Sequence, residues 1–190
     1  MTTAEIGNLF APETGAVILD TETTGLHDTA EIIELGIVRA ATGEVLYNQR
    51  FKPHGAMNPE SQKIHHISLA DLTACPRFSE RITDVRSIIE STPVIAWYAD
   101  FDKGKLQQEF ARANAPLGRC LENWHCASVL YHLLTFGNTR QIRGLSAACA
   151  AEGVPPAALH TALGDLTAIR RVLLSAMKTT PDQSDNSIIR

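Results

Sequence analysis

Asp20 and Glu22 follow an apolar run near the start of the chain, with only Thr21 between them. In an extended segment, residues i and i+2 project to the same side, so both carboxylates would face one way and Thr21 the other. Two such charges repel each other unless a cation lies between them, and carboxylate oxygens are hard ligands suited to Mg²⁺ or Mn²⁺. The pair therefore predicts either exposed acids or a loop cap at the end of a strand, or part of a divalent-metal site.

Asp102 and Asp165 each occupy the apolar stripe of a predicted helix, with an alanine at i−3 and a leucine or isoleucine at i+4. Asp100 falls on the opposite face of its helix. An ionised carboxylate on a buried face costs on the order of several kcal/mol unless it is paired or binds a metal. A buried salt bridge or a helix cap is the alternative, with Asp100 favoured as the cap. Together with Asp20 and Glu22, a shared metal centre is the more economical interpretation.

The elements that would position these acids begin with strands. Residues 15–20 are apolar on both faces, as expected of a central strand, and residues 31–40 carry alternating apolar side chains. A turn at 41–43 leads into residues 44–51, which predicts a hairpin between the second and third strands. Residues 52–61 have the composition of a loop.

The rest of the chain combines helical patterns with one short strand. Pro93 opens that strand, at 94–97. Helical spacing is found in five segments, at 68–90, at 99–113, near 127–135, near 142–151, and from shortly after Pro155-Pro156 to about 178. Antiparallel strands followed by strands that alternate with helices predict a mixed α/β sheet.

Composition describes a single domain of ordinary soluble character. The chain has 190 residues, 44% hydrophobic and 20% charged, and a net charge of −4 that neither supports nor excludes a nucleic-acid substrate. No apolar run is long enough to span a bilayer and the first residues lack a signal-peptide layout, so we expect no membrane partner and a cytoplasmic location. The cysteines lack metal-ligand spacing, which predicts reduced thiols. Residues 179–190 are expected to form a disordered tail.

Three acidic motifs occur in order along the chain: DTETTGL at 20–26, ADFD at 99–102 and HTALGD at 160–165. They resemble the motifs of the DEDDh group of 3′-to-5′ exonucleases, the DnaQ-like family. The third matches its pattern, H-x-A-x-x-D, at every defining position. The resemblance spans about residues 14–178 and implies one exonuclease domain over 1–178. The implied fold is a ribonuclease H-like α/β fold, with a mixed five-stranded sheet, three strands antiparallel then two parallel, flanked by helices.

The resemblance implies a metal-dependent hydrolase that releases 5′-mononucleotides from the 3′ ends of DNA and/or RNA. Four carboxylates would hold two ions, Mg²⁺ or Mn²⁺, in a two-metal mechanism: Asp20, Glu22, Asp102 and Asp165. His160 would be the general base. In a regular helix, at roughly 100° per residue, His160 would face about 140° away from Asp165, so we place it in the loop or frayed turn before the helix.

Substrate contacts are also implied by the resemblance. The backbone around Thr23, Thr24 and Gly25 would hold the 3′-terminal sugar. Leu26 would wedge against the last base, with simple packing as the alternative. His65 resembles a residue that flanks the nucleotide pocket in relatives, and a histidine at the start of a helix is an equally reasonable interpretation.

The second motif departs from the family pattern, which commonly reads His-Asn-Ala-x-Phe-Asp. Here residues 97–102 read WYADFD, so Phe101 and Asp102 are kept and Tyr98 stands at the asparagine position. We expect Phe101 to contact the substrate and Asp102 to bind the metal. Tyr98 is predicted either to stack on a base or donate its hydroxyl, or to pack half-buried against the domain.

Single-stranded DNA or RNA 3′ ends are the expected substrates, and two alternatives stay open. One is an oligoribonuclease-like enzyme that acts on very short oligonucleotides. The other is a catalytically weak module that binds nucleic acid or a polymerase, although such modules usually lose ligands that this chain retains. We expect a freestanding enzyme: a homodimer is left open, and nothing in the sequence indicates association with a polymerase.

Overall fold

The computed structural model describes residues 1–137, 144–155 and 160–179. Its strands are β1 (Val17–Thr23), β2 (Ile32–Arg39), β3 (Val45–Arg50), β4 (Val94–Ala96) and β5 (Trp124–Cys126). They form one sheet in the order β3-β2-β1-β4-β5. β1, β2 and β3 pair antiparallel, whereas β4 and β5 continue the sheet in parallel from β1. The predicted mixed five-stranded sheet is confirmed.

Helices cover both faces of this sheet. They are α1 (Thr3–Asn8), α2 (Pro59–His65), α3 (Ile82–Ile89), α4 (Ala99–Arg112), α5 (Ala127–Phe136), α6 (Leu145–Ala151) and α7 (Ala162–Thr179). On one face, α5 and α7 bury apolar side chains against Ile18 of β1 and Ile95 of β4. On the other face, α3 and α4 do so against Leu19 and Val94. Alternate residues of β1 therefore face α7 and α4.

Two strands differ from the prediction in a way that matters for the acids. β1 continues to Thr23, beyond the predicted end at residue 20, because its pairing with β2 persists through Asp20↔Gly36 and Glu22↔Glu34. The acids of β1 thus lie within the strand and not after it. β2 is buried on both faces along nearly its whole length, beyond the apolar side chains at alternate positions that the sequence analysis noted. The reason is its position between β1 and β3, under helices on each side.

The helix expected over residues 68–90 is wrong in its first half. Only Ile82–Ile89 is α-helical, preceded by a short 3-10 turn at Phe78–Glu80. The backbone N–H and the hydroxyl of Ser68 both donate to Asp71 Oδ2, at 2.8 and 2.7 Å, and this local turn competes with a helix. Pro76 also lacks the N–H that a helix interior requires.

The predicted loop at 52–61 instead contains the start of α2. Asn58 caps this helix by accepting a hydrogen bond from the backbone N–H of Glu60 at 2.8 Å, and Pro59 occupies its first turn. The other predicted helices are confirmed to within a few residues over the described segments. Thr179 ends α7, and the rest of the predicted tail, 180–190, lies outside the described residues. No helix in the described segments is long and apolar enough to cross a membrane.

Candidate active site

Three carboxylates converge beside β1. Asp20, Glu22 and Asp165 each offer an oxygen, and these oxygens lie within 4.8 Å of one another. Asp20 and Glu22 project to the α7 face of the sheet because they alternate with Leu19 and Thr21 along the strand. Asp165 lies in the first turn of α7, which packs on that face. Acids distant in sequence thus form one oxygen-rich cluster.

Asp102 approaches the same strand from the opposite face of the sheet. It lies in the first turn of α4, is only 4% exposed, and its Oδ1 accepts a hydrogen bond from Thr21 Oγ1 at 2.8 Å. It is not one of the three acids that share the 4.8 Å spacing. Its partner Thr21 lies directly after Asp20 in β1, and the charge of Asp102 adds to burial in raising the pKa of Asp20. The predicted acids therefore meet at one strand from both faces.

Burial raises the pKa of Asp20, Glu22, Asp102 and Asp165, and repulsion between carboxylates adds to this effect at Asp20 and Glu22. Burial, with added repulsion from Asp165, raises the pKa of Glu22 to about 8. Burial raises the pKa of Asp102 to about 7, against the hydrogen bonds it accepts. Burial is also the largest cause of the raised pKa values of Asp20 and Asp165. The protein environment therefore disfavours the ionised forms of all of these groups.

No lysine or arginine compensates this charge within residues 1–137, 144–155 and 160–179. None of the ion pairs there involves Asp20, Glu22, Asp102 or Asp165, so the salt-bridge alternative is not observed for these acids. The cap alternative is not observed for α4 either, because its N-cap residue is Tyr98 and Asp100 is exposed. A group of carboxylate oxygens in such surroundings suits a divalent metal ion such as Mg²⁺ or Mn²⁺.

His160 precedes α7, as the rotation argument placed it. Its φ of 69° is left-handed, its side chain is exposed, and its backbone N–H donates to Asp165 Oδ1 at 3.2 Å. The hydrogen bond ties the position of the His160 backbone to the acid cluster. The imidazole itself is left at the surface next to that cluster.

The loop after β1 is held by hydrogen bonds from its own threonines. Thr23 Oγ1 donates to the carbonyl of Gly25 at 2.8 Å, and Thr24 Oγ1 accepts from the backbone N–H of Glu31 at 2.9 Å. Leu26 follows directly and is 79% exposed. Packing therefore does not explain Leu26, and that alternative is wrong.

A small pocket with both polar and apolar lining residues lies against the acid cluster. It has a volume of about 110 Å³, and its lining includes Glu22, Leu26, Ile64, His65 and Phe101. His65 is 4% exposed and is the last residue of α2, so the helix-start interpretation is wrong. The structure thus brings the predicted contacts His65, Leu26 and Phe101 together.

The environment of His65 is that of a neutral ring. Its Nδ1 accepts a hydrogen bond from the backbone N–H of Ile67 at 3.1 Å, and burial lowers the pKa of the ring against an opposing effect of the Thr23 backbone. Its Nε2 is buried and has no partner at hydrogen-bond geometry among the described residues. The neutral ring is therefore held between α2 and the end of β1, at the edge of the pocket.

Tyr98 lies apart from this pocket. Its ring is 46% exposed and contacts the buried Trp97 in an edge arrangement, with centroids 6.5 Å apart. It is not among the lining residues. Its role at the asparagine position of the second motif stays a prediction.

Glu34 is a site residue that sequence reasoning missed. It lies opposite Glu22 in the sheet, is 6% exposed, and adds to the raised pKa of Glu22 after burial and Asp165. Its Oε1 accepts from Arg50 Nε at 2.8 Å, and its Oε2 accepts from the backbone N–H of Ala162 at 2.9 Å. The available signal was an acid inside the apolar run IIELGIV.

Gly36 is the second residue that was missed. It pairs with Asp20, and a Cβ at this position would lie 2.6 Å from Leu166 Cδ1 and 3.1 Å from Ala162 Cβ. Glycine therefore allows the first turn of α7 to come close to the sheet next to Asp20. A glycine in the interior of a strand is the sequence signal for such a close approach.

The sheet order and the acids gathered at its central strand define an exonuclease-type domain of the ribonuclease H-like superfamily. The model of the exonuclease family RNase_T matches residues 17–173 of the chain. The chain belongs to this family of DnaQ-like exonucleases.

Known relatives agree with this placement. The chain is 31% identical over 105 residues to DNA polymerase III subunit epsilon of Buchnera aphidicola, covering 50% of this chain and 45% of that protein. It spans less than half the length of the curated relatives it matches.

Solved structures show the same fold. Exonuclease X in complex with 5′ overhanging duplex DNA superimposes with a TM-score of 0.61 at 24% identity, over 87% of this chain and 92% of that one. The nuclease domain of 3′hExo, a DEDDh family member bound to rAMP, gives a TM-score of 0.66 at 15% identity, over 83% and 88%. The predicted resemblance to DEDDh exonucleases is confirmed at the level of family and fold.

Proposed function

We propose that this protein is a metal-dependent 3′-to-5′ exonuclease that releases 5′-mononucleotides from the ends of DNA and/or RNA. The observation that carries the proposal is the convergence of Asp20, Glu22 and Asp165 within 4.8 Å, with Asp102 buried at the same strand. Retention of every acid in the cluster argues against a module that only binds. One solved relative is in complex with duplex DNA and another is bound to rAMP, which supports DNA and RNA as candidate substrates.

The acid cluster would hold two divalent cations, Mg²⁺ or Mn²⁺, through Asp20, Glu22, Asp102 and Asp165. When bound, such ions favour ionisation of the attacking water and stabilise charge on the phosphate and the leaving oxygen. The raised pKa values of these carboxyls have a clear consequence, because each must lose its proton before it can bind a cation.

His160 is proposed as the general base. Its backbone is tied to Asp165 while its imidazole is exposed, and we propose that the ring turns toward a water bound at the cluster. Imidazole exchanges protons near neutral pH, which suits removal of a proton from the attacking water.

The pocket beside Glu22 is proposed to receive the 3′-terminal nucleoside. Leu26 and Phe101 give it apolar walls, and the ring of His65 forms part of its lining. The backbone of Thr23, Thr24 and Gly25 would hold the sugar. Leu26, exposed at the tip of the loop, would separate the last base from the one before it.

Labelled oligonucleotides test the proposal. Single-stranded DNA and RNA carrying a 5′ label are incubated with the protein and Mn²⁺ or Mg²⁺, and the products are resolved by length. We expect a ladder that shortens from the 3′ end, with no products in EDTA. Loss of nucleotides from the 5′ end, or degradation without metal, would contradict the proposal. A series of substrate lengths then shows whether activity is confined to very short oligonucleotides.

Two histidine variants test the general base. His160→Asn should lower kcat about 100-fold or more, since general bases contribute rate factors of that order. His66→Asn is the matched control, because His66 is also exposed and also has a left-handed φ, of 59° against 69° for His160. Equal activity of the two variants would show that His160 is not the base.

A further inference from the structure

We propose that Lys105 is a positioning residue that fixes Leu26 and Phe101 as the two walls of the nucleoside pocket. This inference rests on the proposed exonuclease function. It assigns to Lys105 the affinity for the 3′-terminal nucleotide, while the acids and His160 perform the hydrolysis.

Lys105 is a buried cation whose ammonium group is held by neutral oxygens. It lies one turn after Asp102 on α4 and is only 4% exposed. Its Nζ donates to the carbonyl of His27 at 2.6 Å and to Gln108 Oε1 at 3.4 Å. Within the described segments it forms no ion pair. Both hydrogen bonds are to neutral oxygens, one of them in the loop that carries Leu26, while the charges of Asp28 and Glu109 favour the charged form of Lys105 without forming an ion pair with it.

That loop is held on both sides of Leu26. On one side, Thr23 Oγ1 donates to the carbonyl of Gly25 at 2.8 Å. On the other side, Lys105 Nζ donates to the carbonyl of His27 at 2.6 Å. Leu26 lies between these two carbonyls and remains 79% exposed. Two hydrogen bonds thus hold the backbone on either side of a solvent-exposed leucine.

The same ammonium group also lies near a second residue that lines the pocket. Lys105 Nζ lies 5.4 Å from the centroid of the Phe101 ring, within the range of a cation–π interaction. Phe101 and Leu26 both line the pocket beside Glu22. One side chain therefore links the helix of Asp102 to the loop that presents Leu26.

A purely structural role does not require a lysine here. A buried ammonium loses its hydration, and burial lowers the pKa of Lys105 accordingly. An apolar side chain of similar length would avoid that cost, although it would release the His27 carbonyl and the face of Phe101. The positive charge is useful if the His27 carbonyl and the Phe101 ring must stay at a fixed separation so that a ligand can bind between Leu26 and Phe101.

Kinetics of Lys105→Met give the first test, with Lys103→Met as the matched control on the same helix. Removing the Lys105 hydrogen bond should raise KM for a single-stranded oligonucleotide about 10- to 100-fold, the range expected for a charge-assisted bond. It should change kcat by less than about threefold, because the acid cluster is not altered. Lys105→Arg, which keeps a donor and a cation, should restore most of the affinity. A KM of Lys105→Met equal to that of the wild type overturns the proposal.

A double-mutant cycle shows whether Lys105 acts through Leu26. Leu26→Ala alone should raise KM, and adding Lys105→Met should raise it by a smaller factor than Lys105→Met does in the wild type, since only the contact with Phe101 is left to lose. Multiplying effects in the double variant would contradict the proposal. If Lys105→Met does not fold, Lys105→Gln takes its place in the cycle, and failure of both to fold shows a structural requirement and overturns the proposal.

The two proposals fail differently. A wild-type protein that degrades no oligonucleotide contradicts the exonuclease function. A wild-type protein that degrades them, together with native KM for Lys105→Met, contradicts only the role of Lys105. The 3′-terminal base can also be replaced by 2-aminopurine, whose fluorescence should rise on binding to Asp20→Asn protein and rise less when Lys105→Met is added.

Discussion

Glu34 Oε2 accepts a hydrogen bond from the backbone N–H of Ala162 at 2.9 Å, so a residue of β2 holds the first turn of α7. Arg50 of β3 holds the other carboxylate oxygen at 2.8 Å. α7 begins shortly after His160 and carries Asp165 in its first turn. Three parts of the chain are thereby fixed relative to the acid cluster.

Replacing Glu34 should disturb the site without touching an acid of the cluster. Glu34→Ala leaves the buried N–H of Ala162 without an acceptor, which costs about 1–3 kcal/mol of unfolding free energy. We expect a lower Tm and a several-fold loss of exonuclease activity. Glu34→Gln keeps an acceptor oxygen and should retain more of both. Calorimetry and the oligonucleotide assay measure the two effects, and identical behaviour of the two variants would contradict this role.

Enlarging Gly36 should push α7 away from Asp20. The Cβ of Gly36→Ala would lie 3.1 Å from Ala162 Cβ, and Gly36→Val adds two further methyl groups at this contact. Overpacking of this kind costs about 1–3 kcal/mol. Activity and Tm should fall in the order wild type, alanine, valine. Gly7→Ala is the control, because a Cβ at Gly7 meets nothing within 4 Å. A fully active Gly36→Val protein would show that the close approach is not needed.

The raised carboxyl pKa values make stability depend on pH in a defined direction. Burial raises the pKa of Glu22 from 4.5 to about 8, so between these values the folded state keeps a proton that the unfolded state releases. The free energy of unfolding of metal-free protein should therefore fall as the pH rises through this window. Glu22→Gln should show a weaker dependence. Thermal unfolding in EDTA at a series of pH values measures it, and stability that rises over this range would contradict the account.

Divalent cations should restore the stability that the metal-free protein loses as the pH rises. Protons compete with the cation for the carboxylates, so Mn²⁺ should raise Tm more at about pH 8.5 than at about pH 5.5. The same thermal scans with and without Mn²⁺ give the comparison. An equal shift at both pH values would place the bound ion away from Asp20 and Glu22.

Asp102 and Asp100 allow a comparison within one helical turn. Asp102 is 4% exposed and bonded to Thr21, whereas Asp100 is exposed. Asp102→Asn keeps an acceptor for Thr21 and removes the charge, so it should fold normally and lose activity about 100-fold or more. Asp100→Asn should behave as the wild type. Near-native activity of Asp102→Asn would mean that α4 does not supply a ligand.

The sequence was sufficient for the acids because their signal is local. Side-chain alternation along β1 placed Asp20 and Glu22 on one side, and helical periodicity placed Asp102 and Asp165 on buried faces. It could not show that Asp102 and Asp165 approach β1 from opposite faces of the sheet, since that depends on how the helices cross over the strands. The mixed sheet followed from the order of strand and helix patterns.

Other features depend on contacts between distant segments. Glu34 and Gly36 are defined by their contacts with α7, more than 120 residues later in the chain. In the sequence, Lys105 looks like an ordinary helix residue. Only the structure shows its hydrogen bond to the loop carbonyl of His27. The helix expected at 68–90 was wrong because Ser68 and Asp71 form a local turn that hydrophobic spacing does not reveal.

Anomalous scattering from a crystal soaked with Mn²⁺ and a 5′-mononucleotide tests the central claim most directly. We predict manganese peaks in contact with carboxylate oxygens of Asp20, Glu22 and Asp165, with the phosphate against them and the base in the pocket beside Leu26. Soaked crystals without a manganese peak at these carboxylates, at a pH where they are ionised, would contradict the account.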